Sequence, residues 1–184
     1  MKFAVQLYSL RHHIKNGEDM LYILDKAKEL GVGAVAEFTI GGTLDPRFYK
    51  PLTYQAEVIK ICDPVVTFNT KIRKGLTTNF GKAAIIRMRN VDVIVCKYPQ
   101  ANFYQEQFTG FGLKLEDYDM VQVKSSLAYV DRFKDVTSQM YNVDTPGSCT
   151  SDLVSLGFKR IPRPMYPFDD TDDFGPAPAY LARK

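Results

Sequence analysis

The sequence predicts a mixed α/β (α+β) fold, on three observations: a βα unit at the amino terminus, a β-rich middle with a hairpin, and a strand–helix–strand rhythm over residues 118–143. Residues 3–9, FAVQLYS, are apolar and β-prone and suit a buried strand. Asn16-Gly17 breaks the chain. Residues 18–30 then place Met20, Leu21, Ile23, Leu24, Ala27 and Leu30 at helical spacing, and Gly31 supplies the stop. A βα unit calls for a parallel strand next, and residues 32–40 supply the candidate. Beyond Gly41-Gly42 the texture changes to short strands and turns: 52–62, a turn at Asp63-Pro64, then 65–70. Residues 83–89 and 91–97 read as a hairpin about Asn90. The aromatic stretch 99–112 predicts a short helix or loop around Tyr104 to Phe108. Residues 118–124 form the next expected strand, and Ser125-Ser126 can cap a helix over about 127–136. A last strand at 139–143 ends in Asp144-Thr145-Pro146-Gly147. The tail from Arg160 is proline-rich and carries Asp169, Asp170, Asp172 and Asp173, a composition that predicts extended or disordered chain.

The 184 residues suffice for one ordinary domain, or for a domain plus a fragment of another. At 45% hydrophobic and 24% charged residues the composition is that of a globular protein. The net charge of +3, from 24 basic and 21 acidic residues, is spread along the chain, which argues against a nucleic-acid partner. No apolar run approaches the roughly 18 residues of a membrane helix, and no signal-peptide core opens the chain. The expectation is a cytoplasmic protein with no membrane partner. Cys62, Cys96 and Cys149 stand far apart without CxxC spacing, so reduced, mostly buried thiols are expected in place of a zinc ribbon or disulfide framework.

His12 and His13 are the only histidines. Adjacent side chains point in different directions on a helix or a strand, and no HxxE or HExxH spacing accompanies them, so they read as an exposed polar turn. GGTLDPRFYKPL, residues 41–52, offers glycines free to take positive φ, a turn at Asp45-Pro46, and Arg47 and Lys50 as donors. It reads as an inter-strand loop or an anion-holding one. VKSS, residues 123–126, is more suggestive, since a strand ending in Lys124-Ser125-Ser126 ahead of a helix points backbone N–H groups, two hydroxyls and an ammonium at one place. That corner suits a carboxylate or phosphate, and equally an ordinary serine cap beside a solvent-facing lysine. Asp144 ends the following strand, where it either stands beside Lys124 or organises its own turn. No Ser/His/Asp, Cys/His or paired-carboxylate set assembles, so the residues alone predict no catalytic set and no metal site.

Five blocks carry a resemblance: GGTLDPRFYKPL, NFGKAAIIRMRNVDVIVCK, YDMVQVKSSLAYVDRF, YNVDTPGSCTSDL and FKRIPRPMYPFD. In this order, over about residues 34–170, the chain resembles the carboxy-terminal domain of the MlrC (microcystinase C) family of metallopeptidase-like hydrolases. Ala128 stands where members often carry a histidine. The resemblance implies zinc as the cofactor of full-length members, held by histidines and acidic residues of a preceding domain. Neither that ligand set nor the DNPGGG block that opens the carboxy-terminal part stands in these residues. Without ligands a chain cannot make a metal-bound hydroxide, so the resemblance implies the fold and no cofactor bound by this chain alone. MKFAVQLYSLR with EDMLYILDKAKELGV resembles instead the opening βα unit of the sugar phosphate isomerase/epimerase family, a TIM barrel with a divalent metal. Glu37 would lack the partner ligands that family places on later strands.

The expected organisation is therefore an isomerase-like leader at 1–33, an MlrC-like domain at 34–170 and a flexible tail at 171–184. If so, the helix of residues 18–30 must find a new apolar surface or stay poorly docked. The expected function is the carboxy-terminal portion of a zinc hydrolase, non-catalytic alone, partnered by a metal-bearing domain on a separate subunit. The alternatives are a small-anion-binding or subunit-interaction module and, more remotely, a fragment of a sugar phosphate isomerase.

Overall fold

The structure, a computed structural model, describes residues 2–6, 18–41, 50–98, 104–125, 127–143 and 152–170. The chain divides into two compact units, Met1–Asn142 and Val143–Lys184. The first is built on a six-stranded sheet. Its elements are β1 (Phe3–Gln6), α1 (Glu18–Leu30), β2 (Val35–Ile40), β3 (Leu52–Cys62), β4 (Val65–Thr67), β5 (Thr77–Asn79), β6 (Ala83–Met88), β7 (Val91–Cys96), α2 (Glu106–Thr109), β8 (Met120–Gln122) and α3 (Ala128–Phe133). The sheet order is β2-β3-β6-β7-β1-β8, with β4 and β5 as a separate antiparallel pair. Strands β2, β3, β6 and β7 are joined antiparallel, while β1 runs parallel to both β7 and β8. The mixed α/β class is the one the sequence predicts.

Strict alternation in β6 and β7 divides the core between the two faces of this sheet. On one face Ala84, Ile86, Val93 and Val95 meet Ile23, Leu24 and Ala27 of α1, together with Phe38, Ala56 and Val58. On the other, Ala83, Ile85, Ile94 and Cys96 meet Val66, Phe80, Phe108, Phe111 and Phe133 of the β4–β5, α2 and α3 layer. Helix α1 has the bounds that its apolar spacing predicts, and its Ala27 is 0% exposed. Gly31 ends it at φ +82°, with its N–H bonded to the Ala27 carbonyl at 3.0 Å. The helix does find its apolar surface, namely β2, β3, β6 and β7 of this sheet.

The strand after α1 is not the parallel neighbour of β1. Strand β2 lies at the far edge of the sheet, bonded antiparallel to β3, while the parallel neighbours of β1 come from β7 and β8. The hairpin about Asn90 closes as expected, and Arg89 takes φ +54° at the first turn position, where two-residue hairpins demand a left-handed residue.

The strand–helix–strand rhythm holds only in part. Strand β8 and α3 form, both shorter than the sequence suggests, but the cap of α3 is Leu127, which makes no side-chain capping bond. Residues 139–143 form no strand. Locally, Thr137 Oγ1 donates to the Gln139 carbonyl at 2.8 Å and accepts from the Gln139 N–H at 3.2 Å, and Tyr141 and Val143 are exposed.

The described residues of the second unit are Val143 and 152–170. A single 3-10 turn, Val154–Leu156, ends at Gly157 with φ +59°. The Arg163 guanidinium then clasps Asp169 through Nε and Nη2, and the Met165 N–H bonds the same carboxylate at 2.8 Å. Phe158 and Phe168 meet edge to face at 6.0 Å. Residues 160–170 are thus an internally bonded turn instead of extended chain.

Candidate functional site

Three parallel strands, β7, β1 and β8, end on the same side of the sheet, since Gln6 is level with Ile94 and Val5 with Gln122. The carboxyl ends of parallel strands are where open α/β sheets place ligands. Val123, Lys124 and Ser125 leave β8 at this end, with Val123 packed on the core, Lys124 exposed and Ser125 half-buried. Helix α3 follows with six residues, too short for an aligned dipole of any size. Of the other sequence candidates, Asp45, Arg47, Ser126 and Asp144 lie outside the described residues, as do His12, His13 and Cys149. Glu37 is exposed on β2, level with Gln55, and its carbonyl accepts the Lys26 ammonium at 2.7 Å.

Two polar constellations were not legible in advance. The first crosses the sheet, where one register row runs Val35, Glu57, Arg87, Asp92, Ala4 and Val121. Asp92 is 2% exposed, and the Arg87 fork holds it through Nε at 2.6 Å and Nη2 at 2.7 Å, while Tyr118 Oη donates to its Oδ2 at 2.6 Å. Burial pushes the Asp92 carboxyl up, but these hydrogen bonds and the Arg87 charge outweigh it and leave the group below its ordinary value. Burial and the hydrogen bond to Asp92 raise the Tyr118 phenol. A carboxylate so fully engaged ties the hairpin to the segment before β8 and is not a free base. The available signal was an arginine and an aspartate facing each other across a two-residue turn inside otherwise apolar strands.

The second constellation gathers on Tyr104, which is 3% exposed. The Arg132 guanidinium lies 4.4 Å from its ring centre and that of Arg73 5.1 Å, with Arg73 also 5.4 Å from the Phe68 ring. Arg132 is held through Nη1 by the Ala128 carbonyl, and its own carbonyl accepts from Gln105 Nε2. The Tyr104 N–H bonds the buried Gln107 Oε1 at 3.0 Å. The signal here was the basic turn KIRKG, residues 71–75, but its aromatic and cationic partners come from distant segments.

Among the described residues no group of three or more His, Cys, Asp or Glu is placed to hold a metal ion. Cys62 is half-buried, and burial pushes its thiol up; Cys96 is buried and its Sγ donates to the Tyr98 carbonyl at 3.4 Å. Ala83 separates them in one register row, so they stand about 10 Å apart, beyond disulfide reach. Among the described residues no helix is long and apolar enough to cross a membrane.

Comparison with known proteins adds the family. No curated protein matches. Among solved structures, a protein from Mesorhizobium sp. BNC1, provisionally named a metallopeptidase, is similar at 24% identity with a TM-score of 0.73. The likeness covers 93% of this chain and 32% of that one, so the chain spans about a third of that protein's length. A family model described as the MlrC C-terminus matches residues 22–160, from within α1 through the sheet and the α2–α3 layer into the second unit. By that match, which covers most of its length, the chain belongs to the MlrC C-terminus family.

Proposed function

We propose that this chain supplies the carboxy-terminal part of a zinc-dependent hydrolase of the metallopeptidase or amidohydrolase kind, with the metal held by a preceding domain and no catalysis by this chain alone. The observation that carries the reading is the match to the C-terminus of the family over 22–160. The described residues do not fit zinc themselves, since they gather no ligand set and the buried Asp92 is committed to Arg87 and Tyr118. In this reading the metal and its chemistry belong to the preceding domain. The partner is that metal-bearing domain, in the same protein or as a separate subunit. A cytoplasmic location without membrane or nucleic-acid partners goes with this reading. Hydrolysis of a panel of peptide amides, with zinc supplied, is expected to stay at the buffer blank; turnover that rises with protein concentration would overturn the proposal.

A second reading, a small-anion-binding module, is favoured by Lys124 and Ser125 at the carboxyl end of β8 beside the ends of β1 and β7. Ser126, Asp144 and the separate loop with Asp45 and Arg47 are further sequence candidates for an anion and lie outside the described residues. Phosphate or a small carboxylate is then expected to raise the melting temperature, and Lys124→Ala to abolish that rise. An equal shift in the variant would remove this corner from the account. The resemblance of residues 1–33 to a sugar phosphate isomerase carries a third reading, against which α1 weighs by covering the sheet of the MlrC-like part.

A further inference from the structure

The geometry points to a second oxyanion site, built on Tyr104 and independent of the Lys124 corner. Arg73 and Arg132 reach the same ring from segments far apart in the chain, so their guanidinium carbons lie no farther apart than the sum of 5.1 and 4.4 Å. Arg73 stands between two rings that meet edge to face at 5.0 Å, and among the described residues its guanidinium makes no hydrogen bond or ion pair. Its five donors are held in place by aromatic faces and remain unused by protein acceptors.

The surroundings suit an anion of small size. Arg73 lies in a turn closed by the Arg73 N–H to Thr70 carbonyl bond at 3.0 Å, with Lys71 and Lys74 exposed on either side. Thr70 Oγ1 is buried with no hydrogen-bond partner, which leaves one more donor at the start of the same turn. One carboxylate enters the neighbourhood: Glu106 accepts the Asn69 N–H through Oε1 at 2.8 Å, and its buried Oε2 has no partner. Among the described residues Glu106 forms no ion pair with Arg73, so it leaves the Arg73 fork open. A planar guanidinium fork of this kind takes the two oxygens of a carboxylate or phosphate side by side. The ligand class is therefore a small oxyanion, either a phosphate or the carboxylate of an acidic compound.

Titration of the full chain with inorganic phosphate and, separately, with acetate, followed by calorimetry and by amide chemical shifts, tests the site. Saturable one-site binding at Arg73 is expected for at least one of the two, weakening as salt is raised. The arm that binds more tightly identifies the source of the oxyanion. Arg73→Gln is expected to weaken binding at least tenfold and Arg73→Lys to weaken it less. Because the Lys124 corner is scored by its own variant, the two sites fail separately. Should Arg73→Gln unfold the chain, Arg73→Lys decides alone, since it keeps the charge and loses only the fork. Absence of saturable binding by both anions, or equal binding in the folded Arg73 variants, overturns the proposal.

Discussion

Asp92→Ala is expected to lower the stability of the protein by about 3 kcal/mol, because it strands two partners that have no other use for their donors. The Arg87 fork and the Tyr118 hydroxyl both end on that one carboxylate, which is 2% exposed. The Arg87 side chain is 35% exposed, and its access to water keeps the loss below that of a wholly buried pair. The loss should appear as a lower urea midpoint at an unchanged slope. The pH dependence has a definite sign. The folded Asp92 carboxyl lies below its ordinary value, so its contribution is fully present above the unfolded value near 4 and disappears as pH falls through the folded one. Tyr118 acts at the other end of the scale: its phenol is raised, so its contribution is present below about 10 and is lost as pH climbs beyond that. Asp92→Asn should flatten the acid limb of the stability profile. A wild-type protein equally stable at pH 3 and pH 7 would remove the triad from the account.

Phe108→Ala is expected to cost about 3–5 kcal/mol, the range for emptying a fully buried aromatic site. Phe108 is 0% exposed and meets Phe133 edge to face at 6.3 Å, so it joins α2 to α3 over the second face of the sheet. Phe108→Leu fills most of the volume and should cost about 1.5 kcal/mol or less. Since Gln105 of the same segment holds the Arg132 carbonyl, the alanine variant should also loosen the cluster on Tyr104. A midpoint within error of wild type for Phe108→Ala would mean that the α2–α3 layer does not pack on the sheet as described.

Local pattern made some of this architecture readable. The apolar spacing of Ile23, Leu24 and Ala27 with the Gly31 stop marks α1, and the two apolar runs flanking Arg89-Asn90 mark the β6–β7 hairpin. Pairing between distant strands was not readable, because nothing in FAVQ says that its neighbours are residues 91–94 and 120–122. The strand expected at 139–143 does not form, and Thr137 and Gln139 bond each other locally there. At the site, Lys124 and Ser125 leave β8 at the expected kind of place. Asp45, Arg47, Ser126 and Asp144 fall outside the described residues. The cluster on Tyr104 is not readable in the sequence, because its two arginines reach one ring only through the packing of the β4–β5 turn against α2 and α3.

Zinc stoichiometry of the purified chain tests most directly the proposal that this chain is the metal-free portion of a zinc hydrolase. After equilibrium dialysis against zinc, elemental analysis is predicted to find far less than one metal per chain, unchanged in His12→Ala and His13→Ala. One tightly held zinc per chain, lost in either histidine variant, would contradict it.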